Sequence, residues 1–502
     1  MRSVFIRLSK GFSVLSVIAS AAILASCSSG ESVPGSPASS SSGEVIRISI
    51  GTQDQVINTA VGGATVRELK LLEKYLPTDG KYEGVEYKIE WSSYTSGPPI
   101  TNKMIANQID IGLMGDFPTV INLIKFREEA GDIESTFIGT LAYSPNGAGN
   151  AVVVPKDSDA KSLADLKGAT ISVPFGSAAH GMVLKALSDA GIDPEKDVTL
   201  ISQAPEVGGT SLRTAQIDAH ADFVPFGELF PFRGFAKKIF DGAQTGVPTL
   251  HGIVVRSDFA EKYPEIVVAY MKAVLEANDI FREKPEEISA KIEEWSGIEK
   301  EVVYMFLGPS GLQPIDPTIR EVQLNALKSS IATLISLGKV DPAINPDSVT
   351  DWYDEGYLKQ AMEELGKDYN EVVAAGENYQ ITGEDALTGE AIGDPKMAAQ
   401  LWIQGEETVS SFASIPNMIS MLKKLQEEGK AADVMFVHDR NKGWKLFAEN
   451  SYYVRSGDEV SAFLLESDAN LYAQESGGTL TAFKELQDSF AQAAQPALAA
   501  SR

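Results

Sequence analysis

Residues 45–50 read Val45-Ile46-Arg47-Ile48-Ser49-Ile50, and this stretch decides what kind of fold the chain builds. Apolar and polar residues alternate with the period of two that characterises a strand. Working downstream, Val66, Leu69, Leu72 and Leu76 share one face of a predicted helix whose other positions carry Arg67, Glu68, Lys70 and Glu73. Tyr87 to Trp91 reads as a strand, 100–107 as a helix, and Ile109 to Leu113 as a strand again. The texture continues with strands at Ala151 to Val154, Thr170 to Val173 and Val198 to Ser202, a helix near 180–190, and helices across roughly 262–337. Such alternation predicts an α/β architecture of parallel sheets covered by helices. Two sheets of this kind leave a ligand crevice at the carboxyl ends of their strands.

Upstream of Glu44 the composition changes. Ser28 to Gly43 is SSGESVPGSPASSSSG, which reads as a flexible leash without apolar periodicity. Before it, Arg2, Arg7 and Lys10 precede an uncharged, mostly apolar stretch from Gly11 to Leu24 and the tetrad Leu24-Ala25-Ser26-Cys27. A basic start, a short apolar run and small residues before a cut describe an export signal. The run, about 14 residues, falls short of the about 20 that span a bilayer. The tetrad resembles the lipobox cut by lipoprotein signal peptidase. Residues 1–26 are therefore expected to be a signal peptide, Cys27 the acylated anchor, and 27–43 a linker that tethers an extracytoplasmic protein to a bacterial membrane.

Cys27 is the only cysteine of the 502 residues, so its acylation leaves no thiol for a disulfide and stability must come from apolar cores. Loss of the signal peptide would take the formal net charge from −26 to −29. Such a surface repels nucleic acid, which excludes it as a partner class.

The stretch 361–395 is punctuated by Gly, Asn, Thr, Asp and Glu and reads as a linker. Beyond it, 396–502 reads as a smaller α+β domain that repeats itself. Leu401-Trp402-Ile403, Gly405, Val409 and Phe412 precede a helix near 415–425, while Tyr453-Val454, Gly457, Val460 and Phe463 precede one near 468–475. The expectation is a duplicated ββαβ unit.

Several segments between about 44 and 360 resemble, in order, the substrate-binding proteins of nitrate, sulfonate and taurine ABC importers. They are Gly97-Pro98-Pro99, Asn107 to Gly112, Gly115-Asp116-Phe117-Pro118, Leu163 to Gly168 with Val173 to His180, Ala215 to Ala219, and Arg256 to Phe259 with Tyr263-Pro264-Glu265. This resemblance implies a two-lobed, type II periplasmic binding protein that closes on a small solute and docks on a permease with its ATPase. From about 376 to 502 the chain resembles the NosL-like lipoproteins of nitrous-oxide reductase maturation, which handle copper(I). The matching residues are Ala398-Ala399-Gln400, Met435 to Asp439, Trp444, Tyr452-Tyr453-Val454, Ala462-Phe463 and Ser476-Gly477-Gly478. That family's cysteine-rich motif is replaced by Leu387 to Ala391, and its methionine-glycine element by Gly457-Asp458-Glu459.

Glycine-rich loops before predicted helices supply candidate ligand contacts, Gly62-Gly63, Ser96-Gly97 and Gly176-Ser177, and the resembling segment at Gly115-Asp116 adds two more. Helix N-termini offer unpaired N–H donors and can hold an oxyanion without Lys or Arg. The plainer reading is ordinary caps and turns. His180 and Asp222 join the candidate list, His180 being equally readable as a capping or core residue. Asp54 and Glu228 are further acids near predicted strand ends, and Tyr94, Phe117, Phe175 and Phe223 are aromatics that would either line a pocket or pack. Lys and Arg are absent from 92–102 and 171–184, which favours a monoanionic or zwitterionic solute.

No HExxH, P-loop or dinucleotide fingerprint is present, nor a Ser-His-Asp spacing, and a binding role is expected over catalysis. The thiamine pyrimidine-precursor synthase that shares the binding fold relies on a cysteine-rich motif absent here. No cofactor is expected for the binding domain. Met435 and His438 are the candidate copper(I) ligands of the C-terminal domain, which would make the alternative function that of a copper-handling accessory lipoprotein. Met418 and Met421 have the spacing of core packing.

Overall fold

A computed structural model describes residues 44–493. The signal segment 1–26, Cys27 and the linker 27–43 lie outside the described residues. The first lobe opens with β1 (Val45–Thr52), β2 (Glu86–Ser93), β3 (Ile111–Gly115) and β4 (Ser135–Ser144). The chain then crosses to a second lobe of β5 (Ala151–Pro155), β6 (Thr170–Val173), β7 (Thr199–Ser202), β8 (Ala219–Asp222) and β9 (Ala236–Asp241), and returns as β10 (Thr249–Arg256).

The two five-stranded sheets have orders β2-β1-β3-β10-β4 and β7-β6-β8-β5-β9. Each is mixed, which corrects the expectation of parallel sheets. β1 runs parallel to β2 and β3, but β10 is antiparallel to β3 and β4. Likewise β6 is parallel to β7 and β8, while β5 is antiparallel to β8 and β9. The antiparallel strands are those delivered from the other lobe. They arrive without the helical crossover that a parallel neighbour requires.

The two crossings lie side by side. Gly242 N donates to Asn150 O at 2.7 Å, and a Cβ on Gly242 would sit 2.3 Å from Gly147 O. Two backbones this close form a double hinge that no bulkier residue at 242 would permit.

The predicted helix through Val66 to Leu76 is broken into Ala64–Glu68 and Leu71–Tyr75 by Lys70, which adopts φ +53°. Its apolar face is nonetheless buried at Val66, Leu72 and Leu76. The stretch 361–395 is more structured than a linker. It holds the end of helix Gly356–Glu364 and all of helix Tyr369–Glu377, and Tyr379 Oη donates to Phe281 O at 2.7 Å. The Asp385 carboxylate accepts from the backbone N–H groups of Leu387, Thr388 and Ala413 and from Asn417 Nδ2, fastening this stretch to the C-terminal module.

That module contains β11 (Ala399–Ile403), β12 (Val409–Phe412), β13 (Ala432–His438), β14 (Lys445–Phe447), β15 (Tyr452–Ser456), β16 (Glu459–Phe463) and β17 (Thr479–Thr481). They form sheets of order β12-β11-β13-β14 and β16-β15-β17. Helix Ile415–Glu427 falls between β12 and β13, and helix Glu466–Ser476 between β16 and β17.

The four-stranded sheet is covered on both faces. Helix Ile415–Glu427 packs against β11 and β12 on one. On the other, Trp402 and Phe436 meet Tyr304 of helix Lys300–Leu307 with ring centroids 5.5 and 5.6 Å apart. Lys445 Nζ lies 3.5 Å from the Tyr304 ring centroid. Phe447 stacks at 5.2 Å on Phe232, which ends helix Phe226–Phe232 of the second lobe. Ser310, at φ +57°, ties the junction: its N–H donates to Tyr379 O, its carbonyl accepts from Lys445 N, and its Oγ accepts from Ile381 N.

Among the described residues no helix is long and apolar enough to cross a membrane.

Candidate ligand-binding site

The flanks of the seam between the lobes come from strand-to-helix turns. Gly115 ends β3 and leads into helix Asp116–Glu129, while Ser177 caps helix Ala178–Asp189. A Cβ on Gly115 would lie 3.3 Å from Ala178 Cβ and 3.5 Å from His251 Nε2, so the lobes meet across this point. Gly176, at φ +77°, approaches the first lobe closely enough that a Cβ would lie 3.0 Å from Pro98 Cγ. At the rim, Gln55 Nε2 donates to Glu206 Oε1 at 2.9 Å, again between lobes. Ser96-Gly97, Gly115-Asp116 and Gly176-Ser177 therefore come together. The lobes are in contact and leave a cavity of about 30 Å³ lined by Asp116, Phe117, Asn150, Met182, Lys185 and Ser330. That is room for about one water. A larger guest requires the lobes to part.

Not every sequence candidate faces this seam. Gly62 and Gly63 are buried within the first lobe. Gly62 O accepts from Tyr270 Oη at 2.8 Å, and a Cβ on Gly63 would meet Thr52 Oγ1 at 2.3 Å, so both serve packing rather than a ligand. Asp116 lines the cavity, but its carboxylate is already engaged by Thr249 Oγ1 at 2.9 Å and Ser330 Oγ at 2.7 Å. Burial raises its pKa despite those bonds. Ser177 Oγ accepts from His180 N, which makes it a helix cap. Asp54 pairs with Arg67, and Glu228 with Lys238.

His180 stacks on Phe175 at 4.8 Å and accepts at Nδ1 from Gly176 N at 3.1 Å. Burial, aided by the charge of Lys339, pushes its pKa down to about 4, so the ring is neutral at pH 7. It thus braces the loop that carries Gly176 and Ser177.

Asp222 belongs to a buried chain in the second lobe. Ser172 Oγ lies 2.6 Å from His220 Nδ1, and His220 Nε2 lies 2.7 Å from Asp222 Oδ2. No Ser-His-Asp spacing marks this trio in the sequence because the partners sit on neighbouring strands, β6 and β8. Ser172 and His220 are 0% exposed and Asp222 1%. A hydroxyl sealed in mid-strand offers a substrate no approach, so the chain holds the lobe together.

Two seam residues were not among the sequence candidates. Lys185 lies just past the cation-free stretch 171–184, yet Ala178, Met182 and Lys185 fall on one helical face, and that spacing was the available signal. His251 sits on β10, 4% exposed, with Nδ1 3.3 Å from Asn58 Nδ2. Burial pushes its pKa down to about 3. Only the pairing of β10 with β3 brings it opposite Gly115.

Met435 and His438 do not converge. They are three residues apart on β13, whose alternation sends them to opposite faces. Met435 Sδ lies 4.0 Å from Gln487 Nε2, whereas His438 Nδ1 lies 2.7 Å from Ala398 O on the other side. That contact requires Nδ1 to donate, which leaves Nε2 buried and without a partner. One imidazole nitrogen without the methionine does not fit a copper(I) site. Among the described residues no group of three or more His, Cys, Asp and Glu could hold a metal ion.

Two sheets joined by two adjacent crossings, with a seam flanked by strand-to-helix turns, define a two-lobed periplasmic-binding-protein fold. The periplasmic nitrate-binding protein of Synechocystis PCC 6803 shares it, with TM-score 0.50 and 14% identity over 66% of this chain and 91% of that one. Residues 130–288 match the family described as NMT1/THI5 like. The taurine-binding periplasmic protein of Escherichia coli K12 is 29% identical over 280 residues, which cover 54% of this chain and 82% of that protein. An E. coli K12 protein named for binding aliphatic sulfonates is 25% identical over 267 residues, 53% of this chain and 78% of its own. Both of these relatives are named for binding a solute.

Proposed function

We propose that residues 44–360 are the solute receptor of an ABC importer and close on a small anionic or zwitterionic solute of the sulfonate, taurine or nitrate class. The observation that carries this reading is the meeting of Gly115, Ala178 and His251 across a double hinge. The named ligands of the relatives supply the solute class. Within the seam, Asn150 offers an amide to an oxyanion once the lobes part, and Lys185, which pairs with Asp189 at 2.9 Å, offers a positive charge shared with that carboxylate. Cys27 is the membrane anchor, and the closed form delivers its solute to a permease and ATPase. The C-terminal module is a NosL-like domain of two ββαβ units put to a structural or docking use. The copper-handling alternative is weakened by the separation of Met435 from His438.

A thermal-shift screen of taurine, alkanesulfonates and nitrate tests the reading. A ligand at 100 times its dissociation constant should add about 2.7 kcal/mol to the stability of the folded chain. If no compound of these classes moves the melting temperature, the solute class is wrong. Cys27→Ala should abolish labelling by a fatty-acid analogue, and unchanged labelling would remove the anchor.

A further inference from the structure

Where the C-terminal module meets the binding lobes, a cavity of about 220 Å³ lies between Tyr143, Gln313 and Tyr379 on one side and Lys396, Lys442 and Trp444 on the other. Both halves of the chain are needed to build it. Three of these residues are aromatic, and Trp444 is 8% exposed.

The charge around it runs against that of the molecule, which carries a formal −26. Two lysines line the cavity. Two arginines stand behind the lining: Arg320 Nη2 donates to Tyr143 Oη at 3.2 Å, and Arg282 Nη2 to Ile315 O at 3.3 Å. Ile315 also lines the cavity. Glu377, the one acidic lining residue, is paired with Arg320 at 2.8 Å, and Asp316 behind it is paired with Arg320 at 2.6 Å. Among the described residues no ion pair joins Arg282 or Lys442 to a carboxylate. The Nε atoms of Arg282 and Arg320 are buried with no acceptor. Lys396 Nζ donates to Asn441 O at 2.9 Å, and Lys442 brings a cation without an ion-pair partner to a place partly shielded from water, where an anionic guest gains most.

We propose that this cavity is a second ligand site, separate from the interlobe seam, for a small aromatic carboxylate or sulfonate. The anionic head meets Lys396 and Lys442 at the rim, and a single ring lies among Tyr143, Tyr379 and Trp444. The volume is below the 300–1,000 Å³ or so typical of larger ligands and suits a one-ring guest. The site does not depend on which solute the seam takes.

The test is titration of the full chain with benzenesulfonate and benzoate, followed by calorimetry and by tryptophan fluorescence. Saturable binding with quenching is expected, weakened at least tenfold in the Lys396→Gln/Lys442→Gln double variant. Both lysines are exposed, so the variant should keep the wild-type melting temperature. Trp444→Phe should still bind the probe and lose the quench. Gly176→Ala, which hinders closing of the seam against Pro98, should leave probe affinity within twofold. The proposal is overturned if neither probe binds, if the double variant binds as the wild type does, or if Gly176→Ala weakens probe binding tenfold or more, which would place the probe in the seam.

Discussion

His180 shows how a single side chain ties the seam to pH. Its ring is enclosed by Phe175 and Phe117, takes a hydrogen bond from Gly176 N, and feels Lys339 from outside its own helix. With a folded pKa of about 4 against the ordinary 6.5, the folded state holds the neutral form. The stability this provides is complete above pH 6.5 and is lost as pH falls toward 4, because the unfolded chain takes up a proton that the folded chain refuses. Between pH 7 and pH 5 the contribution is on the order of 1–2 kcal/mol. Urea unfolding at those two pH values should therefore show a larger loss for the wild type than for His180→Gln. Equal losses would mean that the ring is not held neutral. Comparison with the variant cancels the opposing effect of buried acids such as Asp116 and Asp222, whose pKa values burial raises. The sequence marked His180 as a ligand, cap or core residue without choosing. What it lacked was Phe117 and Lys339, which arrive from other elements.

At the scale of elements, the face that the C-terminal sheet turns toward helix Lys300–Leu307 controls whether the module stays docked. Tyr304 is 1% exposed and touches Trp402, Phe436, Gln400 and Lys445. Tyr304→Ala should cost about 3–5 kcal/mol through the cavity it leaves. Tyr304→Phe should cost about 1 kcal/mol, losing only the hydrogen bond with Gln400. Limited proteolysis should then cut Tyr304→Ala between 378 and 398 faster than wild type or Tyr304→Phe. Equal cutting would show that the module is held elsewhere. Strand positions elsewhere were legible from the residue pattern, as at 170–173, where reading and structure coincide. The contact itself was not. An apolar strand looks the same whether its second face meets a helix of its own domain or of another. Lys70 is a second case: its left-handed turn breaks a helix whose residue pattern is continuous, because tertiary packing overrides propensity.

For the whole molecule, the two-lobed architecture followed from ordered motifs along the chain, whereas the strand directions followed from the double crossing. No local pattern announces that crossing, and it is also what makes closure possible. Gly176 lies on the closing path: a Cβ there meets Pro98 of the opposite lobe and strains a backbone at φ +77°. The most direct test is isothermal titration of the full chain and its Gly176→Ala variant with taurine and short alkanesulfonates. One solute per chain is expected for a member of this class, with at least tenfold weaker binding by the variant, whose melting temperature without ligand should fall only by the few degrees expected for about 1–2 kcal/mol of backbone strain. Absence of binding by a folded wild type, or equal affinity in Gly176→Ala, would contradict it.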